Sequence, residues 1–183
     1  MQHSPGQQNV NDNAQRKIYE TIICQHYESI YNFMLYLTNN AGLAEDLTQE
    51  TFASAWVNIN SFRHHASLKT WLHRIAYCKF IDSLRRQKRD IAFISNLQQE
   101  KYEVTEPSNP LKNLIADEDM YCLYKAMHRL KLSDYVVLVL HYIQNLSFRE
   151  MSKVLDEPGG TVKWRTNKAL KALKGLLAGG ETL

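Results

Sequence analysis

Residues 146–173 read LSFREMSKVLDEPGGTVKWRTNKALKAL and contain two helix signals separated by a turn signal. Ser147 and Glu150 have the spacing of a capping box, in which the hydroxyl accepts from the Glu150 amide and the carboxylate reaches back. Residues 156–160, DEPGG, predict a tight turn. We expect the second helix to begin at Thr161 and to end near Leu177. Two short helices joined by a sharp turn are typical of a helix-turn-helix.

The second of these predicted helices is strongly basic on one side. Its apolar residues repeat at helical spacing and can pack inward, which leaves the basic side free for the major groove of duplex DNA. Arg165 has the geometry to bind guanine through two hydrogen bonds, whereas Lys163 and Lys168 are expected to hold phosphates. The simpler alternative is a core helical hairpin with a solvated basic face. The candidate DNA contacts are Thr161, Lys163, Trp164, Arg165 and Lys168.

The rest of the chain predicts an all-α protein made of two small helical bundles joined by a flexible linker. Apolar residues recur at helical spacing in three upstream stretches, residues 18–37, 44–59 and 68–89, and no strand pattern is found. Pro107 and Pro110 flank a polar pair, which is typical of a linker. The predicted segments are a disordered tail 1–15, a first bundle 16–92, a linker 93–114, a second bundle 115–178 and a tail 179–183.

Charge is distributed unevenly although the net charge is only +3. Residues 18–62 contain five acids and no Lys or Arg, residues 63–90 contain eight basic residues and two acids, and residues 161–174 contain five basic residues and no acid. Two basic blocks far apart in the chain suit a two-point contact with a polyanion, and the acidic stretch suits a protein partner with basic side chains. Solvated helix faces are the alternative explanation of each block.

Aromatic residues alternate with the basic ones in the third predicted helix. Basic groups hold phosphates, and aromatic faces stack on unpaired bases with about 1–3 kcal/mol each. This combination indicates a surface that holds one strand of an opened duplex. Trp71 and Leu72 are better explained as core residues, whereas Phe80 fits the core and a DNA contact equally well. Asp82 has the spacing to pair with Arg85 or Arg86.

The combination of AEDLTQETFASAWVNINSF, residues 44–62, and SLKTWLHRIAYCKFIDSLRRQKR, residues 67–89, resembles the first conserved domain of extracytoplasmic-function (ECF) sigma factors. Residues 146–173 resemble the second DNA-binding domain of the same family. The resemblance implies that the second helix docks on the coiled-coil clamp of the largest subunit of RNA polymerase. The residues that it assigns to docking are Asp46, Leu47, Gln49, Glu50, Phe52 and Trp56.

The resemblance also implies that the third helix and the preceding loop capture the non-template strand of the −10 promoter element. Cys78 stands where many members have Asn, and Trp164 stands where Ser is usual, so the bases preferred by this chain do not follow from the family. The second bundle is expected to read the −35 element. The residues assigned to the −10 element are Arg63, His64, Ser67, Lys69, Arg74, Tyr77, Cys78, Lys79, Arg85 and Arg86.

The implied function is that of a sigma factor, which binds core polymerase, recognises both promoter elements and supports melting without being an enzyme. A stand-alone helix-turn-helix regulator, which needs a dimer and a palindromic operator, is the alternative. The family implies an anti-sigma factor as a further partner. Three widely spaced cysteines and the lack of an apolar leader predict a cytoplasmic chain, monomeric when free. The seven histidines lack partners at ligand spacing, so no metal or cofactor is expected.

Overall fold

The computed structural model describes residues 5–59, 62, 66–97 and 118–178, and these residues form helices and connecting turns without a strand. The all-α prediction is confirmed. The helices are α1 Pro5–Thr38, α2 Ala41–Asn58, α3 Leu68–Leu97, α4 Glu118–His128, α5 Leu132–Leu138, α6 Phe148–Leu155 and α7 Gly159–Ala178. A π-helical turn, Val139–Ile143, extends α5.

Helices α1 to α3 form the first bundle. Asn39 has a positive φ of 49°, and the Asn40 side chain accepts a hydrogen bond of 2.9 Å from the Leu43 amide, so the chain reverses and α2 begins with a cap. The buried hydroxyls of Thr48 and Thr51 donate to carbonyl oxygens one turn earlier, which removes the cost of placing them in an apolar core. Fully buried residues of this core include Ile30, Phe33, Met34, Leu47 and Leu72.

Helices α4 to α7 form the second bundle. The capping box at the start of α6 is confirmed, since Ser147 Oγ accepts from the Glu150 amide and Glu150 Oε2 accepts from the Ser147 amide. Asp156 ends α6 in the left-handed conformation with φ 58°, and α7 begins at Gly159. Helix α5 begins at Leu132, after Lys131 in the extended N-cap conformation, so Ser133 lies inside its first turn and is not the cap.

Two helices are longer than the sequence pattern predicts. Helix α1 begins at Pro5, within the predicted tail, and α3 continues to Leu97, five residues into the predicted linker. Proline is tolerated in a first helical turn, and adding residues to a helix that packing already holds is much easier than starting a new one. The rest of the predicted linker, residues 98–114, and the tail 179–183 lie outside the described residues.

The two bundles are in contact with each other. The Tyr135 hydroxyl donates a 2.6 Å hydrogen bond to the carbonyl oxygen of Tyr36, whose ring meets that of Tyr124 edge-on with centroids 5.9 Å apart. Buried apolar residues of both bundles belong to one continuous core. The helices that the sequence assigns to separate units therefore pack as one body.

Candidate nucleic-acid interface

The outward face of α7 carries most of the residues predicted to contact duplex DNA. Val162, Thr166, Ala169 and Leu173 are buried, and their spacing fixes the opposite side of the helix as the open side. Trp164 lies near the middle of that side with 63% of its surface exposed. Thr161, Lys163 and Lys168 are also exposed.

Arg165 lies at the flank of this face and is paired within the chain. Its Nη1 is 2.9 Å from Oε1 and 2.7 Å from Oε2 of Glu157, a residue of the turn before α7. Tyr77 of α3 lies close by: burial raises its pKa first, and the charge of Glu157 raises it further. Binding of a guanine by Arg165 therefore competes with this ion pair.

A basic cleft of about 690 Å³ runs between α2 and α3. Glu50 lies inside it, 3.7 Å from Lys79 Nζ and 3.6 Å from Arg86 Nη2. The predicted pairing of Asp82 is found with Arg85, at 3.2 Å. Cations therefore outnumber acids at the surface of the cleft, which is suited to phosphates. Its lining residues are Glu50, Lys79, Asp82, Arg85, Arg86, Lys88 and Arg89.

The outward face of α2 carries only part of the predicted docking set. Asp46 and Gln49 are exposed. Leu47 and Phe52 are 1% and 4% exposed, and their side chains hold α2 on the first bundle. Trp56 is 39% exposed, with its ring centroid 4.6 Å from that of Tyr19.

Aromatic residues of α3 divide between core and surface. Phe80, which the sequence left open, is 2% exposed and belongs to the core. The half-buried Trp71 ring lies 5.1 Å from Phe62. Cys78 is exposed, as are the other two free cysteines, Cys24 and Cys122. Arg63 and His64, assigned to the −10 element, lie outside the described residues.

Other residues of the predicted −10 set face the second bundle. Arg74 Nη1 donates a 2.6 Å hydrogen bond to the carbonyl oxygen of Lys153, and its Nη2 lies 3.1 Å from Asp156 Oδ2. A guanidinium at the carboxyl end of α6 is favoured by the helix dipole and by the unpaired carbonyls there. Arg74 thus bridges α3 to α6.

Gln144 stands at the centre of this contact. It is 4% exposed, and its side-chain Oε1 lies 3.1 Å from His73 Nε2 and accepts a 2.9 Å hydrogen bond from Ser29 Oγ. His73 Nδ1 lies 2.8 Å from the carbonyl oxygen of Lys69, so each ring nitrogen faces an oxygen acceptor. Burial lowers the pKa of His73. The main-chain carbonyl oxygen of Gln144 accepts a hydrogen bond from Lys69 Nζ.

Glu150 extends the same contact. Its Oε1 accepts from Thr70 Oγ1 at 3.2 Å and from Ser67 Oγ at 3.4 Å. Hydrogen bonds from the backbone and hydroxyl of Ser147 lower the pKa of Glu150 first, with smaller contributions from Thr70 and Ser67. We call this contact the bundle interface. It comprises Ser29, Ser67, Lys69, Thr70, His73 and Arg74 of the first bundle with Gln144, Glu150, Lys153 and Asp156 of the second.

Sequence reasoning missed the residues that organise these contacts. Gln144 is a polar residue that follows a π-helical turn, and Glu157 is a turn residue eight positions before its partner Arg165. Residues that pair on one helix are three or four positions apart, and neither Gln144 with its partners nor Glu157 with Arg165 has this spacing. The one usable signal is Asn145, a residue type that tolerates the left-handed conformation, which has a positive φ of 53° directly after Gln144.

Within residues 5–59, 62, 66–97 and 118–178, no group of three or more His, Cys, Asp or Glu is placed to hold a metal ion. In the same residues, none of the helices has both the length and the apolar character needed to cross a bilayer.

Comparison with known proteins identifies relatives over most of the chain. The family model of sigma-70 region 2 matches residues 22–90. The chain is 31% identical over 159 residues to the ECF RNA polymerase sigma factor SigW of Bacillus subtilis (strain 168), covering 84% of this chain and 85% of that protein. The RNA polymerase sigma factor YlaC of the same strain is also 31% identical over 159 residues, with coverage of 85% and 89%.

The fold is shared with a solved sigma factor. The structure of RpoE in complex with the anti-sigma factor NepR from Bartonella quintana superposes with a TM-score of 0.72 at 22% identity. The superposition covers 88% of this chain and 98% of that one. The likeness therefore extends to both bundles.

Proposed function

The chain belongs to the ECF family of bacterial RNA polymerase sigma factors, and we propose how its described surfaces divide the work of that function. It binds core polymerase, recognises the −35 and −10 elements and supports promoter melting. Asp46 and Gln49 on α2 form the docking surface, the basic cleft and α3 hold the opened −10 strand, and the outward face of α7 reads the −35 element. Polymerase supplies the chemistry, while this chain contributes binding energy.

The observation that carries this assignment is the separation of charge between exposed faces. Asp46 is exposed on α2, whose residues include no Lys or Arg. The cleft along α3 and the outer side of α7 present Lys and Arg instead. Nucleic acid is repelled by the first surface and attracted by the other two, so one chain can bind a basic protein and promoter DNA at once.

The two bundles must also separate before the predicted −10 residues of α3 can reach DNA. Lys69, Arg74 and half-buried Tyr77 belong to the predicted −10 set, yet the second bundle covers the side of α3 on which they lie. We therefore propose that the arrangement with an intact bundle interface, the closed arrangement, is the free state and that polymerase selects an open one. An anti-sigma factor such as the partner of RpoE is proposed to favour an inactive arrangement.

Asp46 provides the cleanest test of the docking surface. Replacing Asp46 with Ala should weaken binding of the full chain to core polymerase about tenfold, because one charged contact at a protein interface contributes roughly 1–2 kcal/mol. Binding is measured by titrating labelled chain with core polymerase. Glu50 is a poorer choice, since its replacement also releases Lys79 and Arg86.

Glu28→Ala is the matched control, an exposed acid on α1 away from the docking surface. It should leave polymerase affinity unchanged. Equal affinities of wild type and Asp46→Ala would refute the assigned docking surface. Circular dichroism of each variant must match wild type, so that a loss of binding is not a loss of fold.

A further inference from the structure

We propose that Trp164 sets the base preference of α7 by making apolar contact with the 5-methyl group of a thymine in the −35 element. The inference rests on the proposed function, since it assumes that the outward face of α7 enters the major groove. It names the base, and the group on that base, that this face recognises. Thymine is distinguished in that groove by its methyl group beside the O4 acceptor.

The position of Trp164 supports this role. It lies in the first two turns of α7, on the side opposite the buried Val162 and Thr166, and 63% of its surface is exposed. Residues near the amino terminus of a recognition helix are those that meet base edges. A large indole at this place extends further from the helix than the Ser that is usual in the family.

The indole is also oriented by its neighbour. Lys168 Nζ lies 5.4 Å from the centroid of the Trp164 ring and 3.9 Å from Asp134 Oδ2. A cation over the ring favours one placement of the indole. Pre-orientation lowers the entropy lost when the ring meets a base.

The polar candidate for base reading is less accessible than Trp164. Arg165 is held by Glu157 at the flank of α7, with only 21% of its side chain exposed. Releasing it costs an ion pair before any contact with guanine is gained. An apolar contact through Trp164 needs no such rearrangement, so the structure favours thymine over guanine as the base opposite the first two turns of this helix.

The test uses holoenzyme assembled from core polymerase and the full chain, with a promoter duplex selected by that holoenzyme. Each thymine of the −35 element is replaced in turn by deoxyuridine, which removes only the methyl group. Wild type should lose about three- to fivefold in affinity at one position, the effect of exposing one buried methyl. Trp164→Ser should bind the thymine and deoxyuridine duplexes equally, and Trp164→Phe should retain part of the difference.

Tyr142→Ser is the matched control, because Tyr142 is an aromatic residue of the second bundle that is 52% exposed but not on α7. It should keep the full response to deoxyuridine. The inference is overturned if wild type ignores every such substitution, if Trp164→Ser keeps the wild-type response, or if the selected element has no thymine. Failure of the proposed function is a different result: scrambling the entire −35 element would then leave wild-type affinity unchanged.

Discussion

Single basic residues of this chain differ in how available they are to DNA. Arg165 is paired with Glu157, and Lys79 and Arg86 share Glu50. Lys163 is exposed on α7. A paired cation must exchange an internal carboxylate for a phosphate, so its net contribution to affinity is smaller than its charge suggests.

Lys163 is therefore the residue expected to show a simple phosphate contact. Lys163→Ala should lower the affinity of holoenzyme for different promoters by a similar factor and reduce the salt slope by about 1. Affinity is measured against potassium chloride concentration on two promoters of unrelated −35 sequence. Lys17→Ala, an exposed lysine of α1, is the control. A loss confined to one promoter would show that Lys163 reads bases.

The outward residues of α7 could be predicted because a helical period of 3.6 fixes their side once the apolar positions are known. The pairing of Arg165 with Glu157 could not be predicted in this way. Glu157 reaches Arg165 because Asp156 turns the chain in the left-handed conformation, and the sequence gives no distance across that turn. The burial of Leu47 and Phe52 could not be predicted from the resemblance, because a motif does not separate core residues from surface residues.

The helices differ in how strongly their N-terminal capping residues mark the first turn. The capping box at α6 has two reciprocal hydrogen bonds, whereas Ser133 lies inside the first turn of α5. Helix existence was predictable from apolar periodicity throughout. Helix ends were not predictable, as the starts of α1 and α5 and the end of α3 show. Packing against neighbouring helices extends a helix beyond the residues that cap it.

A pair of serine variants tests this reading of the caps. Ser147→Ala should lower the free energy of unfolding by about 1 kcal/mol, since the Glu150 amide loses its acceptor. Ser133→Ala should change it by less than about 0.5 kcal/mol, as for an ordinary surface substitution. Urea unfolding followed by circular dichroism gives both values. A larger effect at Ser133 than at Ser147 would contradict the assignment.

For the molecule as a whole, the bundle interface is the feature that sequence reasoning did not reach. It joins Gln144 to Ser29, 115 residues earlier, and to His73, 71 residues earlier. Local periodicity carries no information about contacts of this range. The sequence predicts the helical character of both bundles, but not that one covers part of the other.

Replacing Gln144 should open the closed arrangement. In Gln144→Ala the His73 ring and the Ser29 hydroxyl lose a buried partner, at a cost of about 1–3 kcal/mol for each group left unsatisfied. Small-angle X-ray scattering should show a larger radius of gyration than wild type, with helix content unchanged by circular dichroism. Asn167→Ala, an exposed change on α7, is the control. An unaltered radius would argue against Gln144 as the central contact.

Acid should loosen the same interface. Burial lowers the pKa of His73, and the charges of Lys69 and His26 lower it further. A group with a lowered pKa stabilises the packed state above its ordinary pKa, and this stabilisation is lost as the pH falls through the lowered value. The radius of gyration of wild type should therefore increase as the pH falls below the ordinary histidine pKa of about 6.5. His73→Gln should respond less, with the remainder due to His26, whose pKa burial also lowers. A pH response of His73→Gln equal to that of wild type would exclude His73.

We propose that this chain, docked on polymerase, places two DNA-reading surfaces on one promoter. Run-off transcription from a genomic fragment library, with start sites sequenced, tests this proposal. Start sites should be preceded by two short sequence elements at a fixed separation, and core polymerase alone should give no such transcripts. Transcription no different from that of core polymerase, or binding of the free chain to palindromic sites, would contradict it.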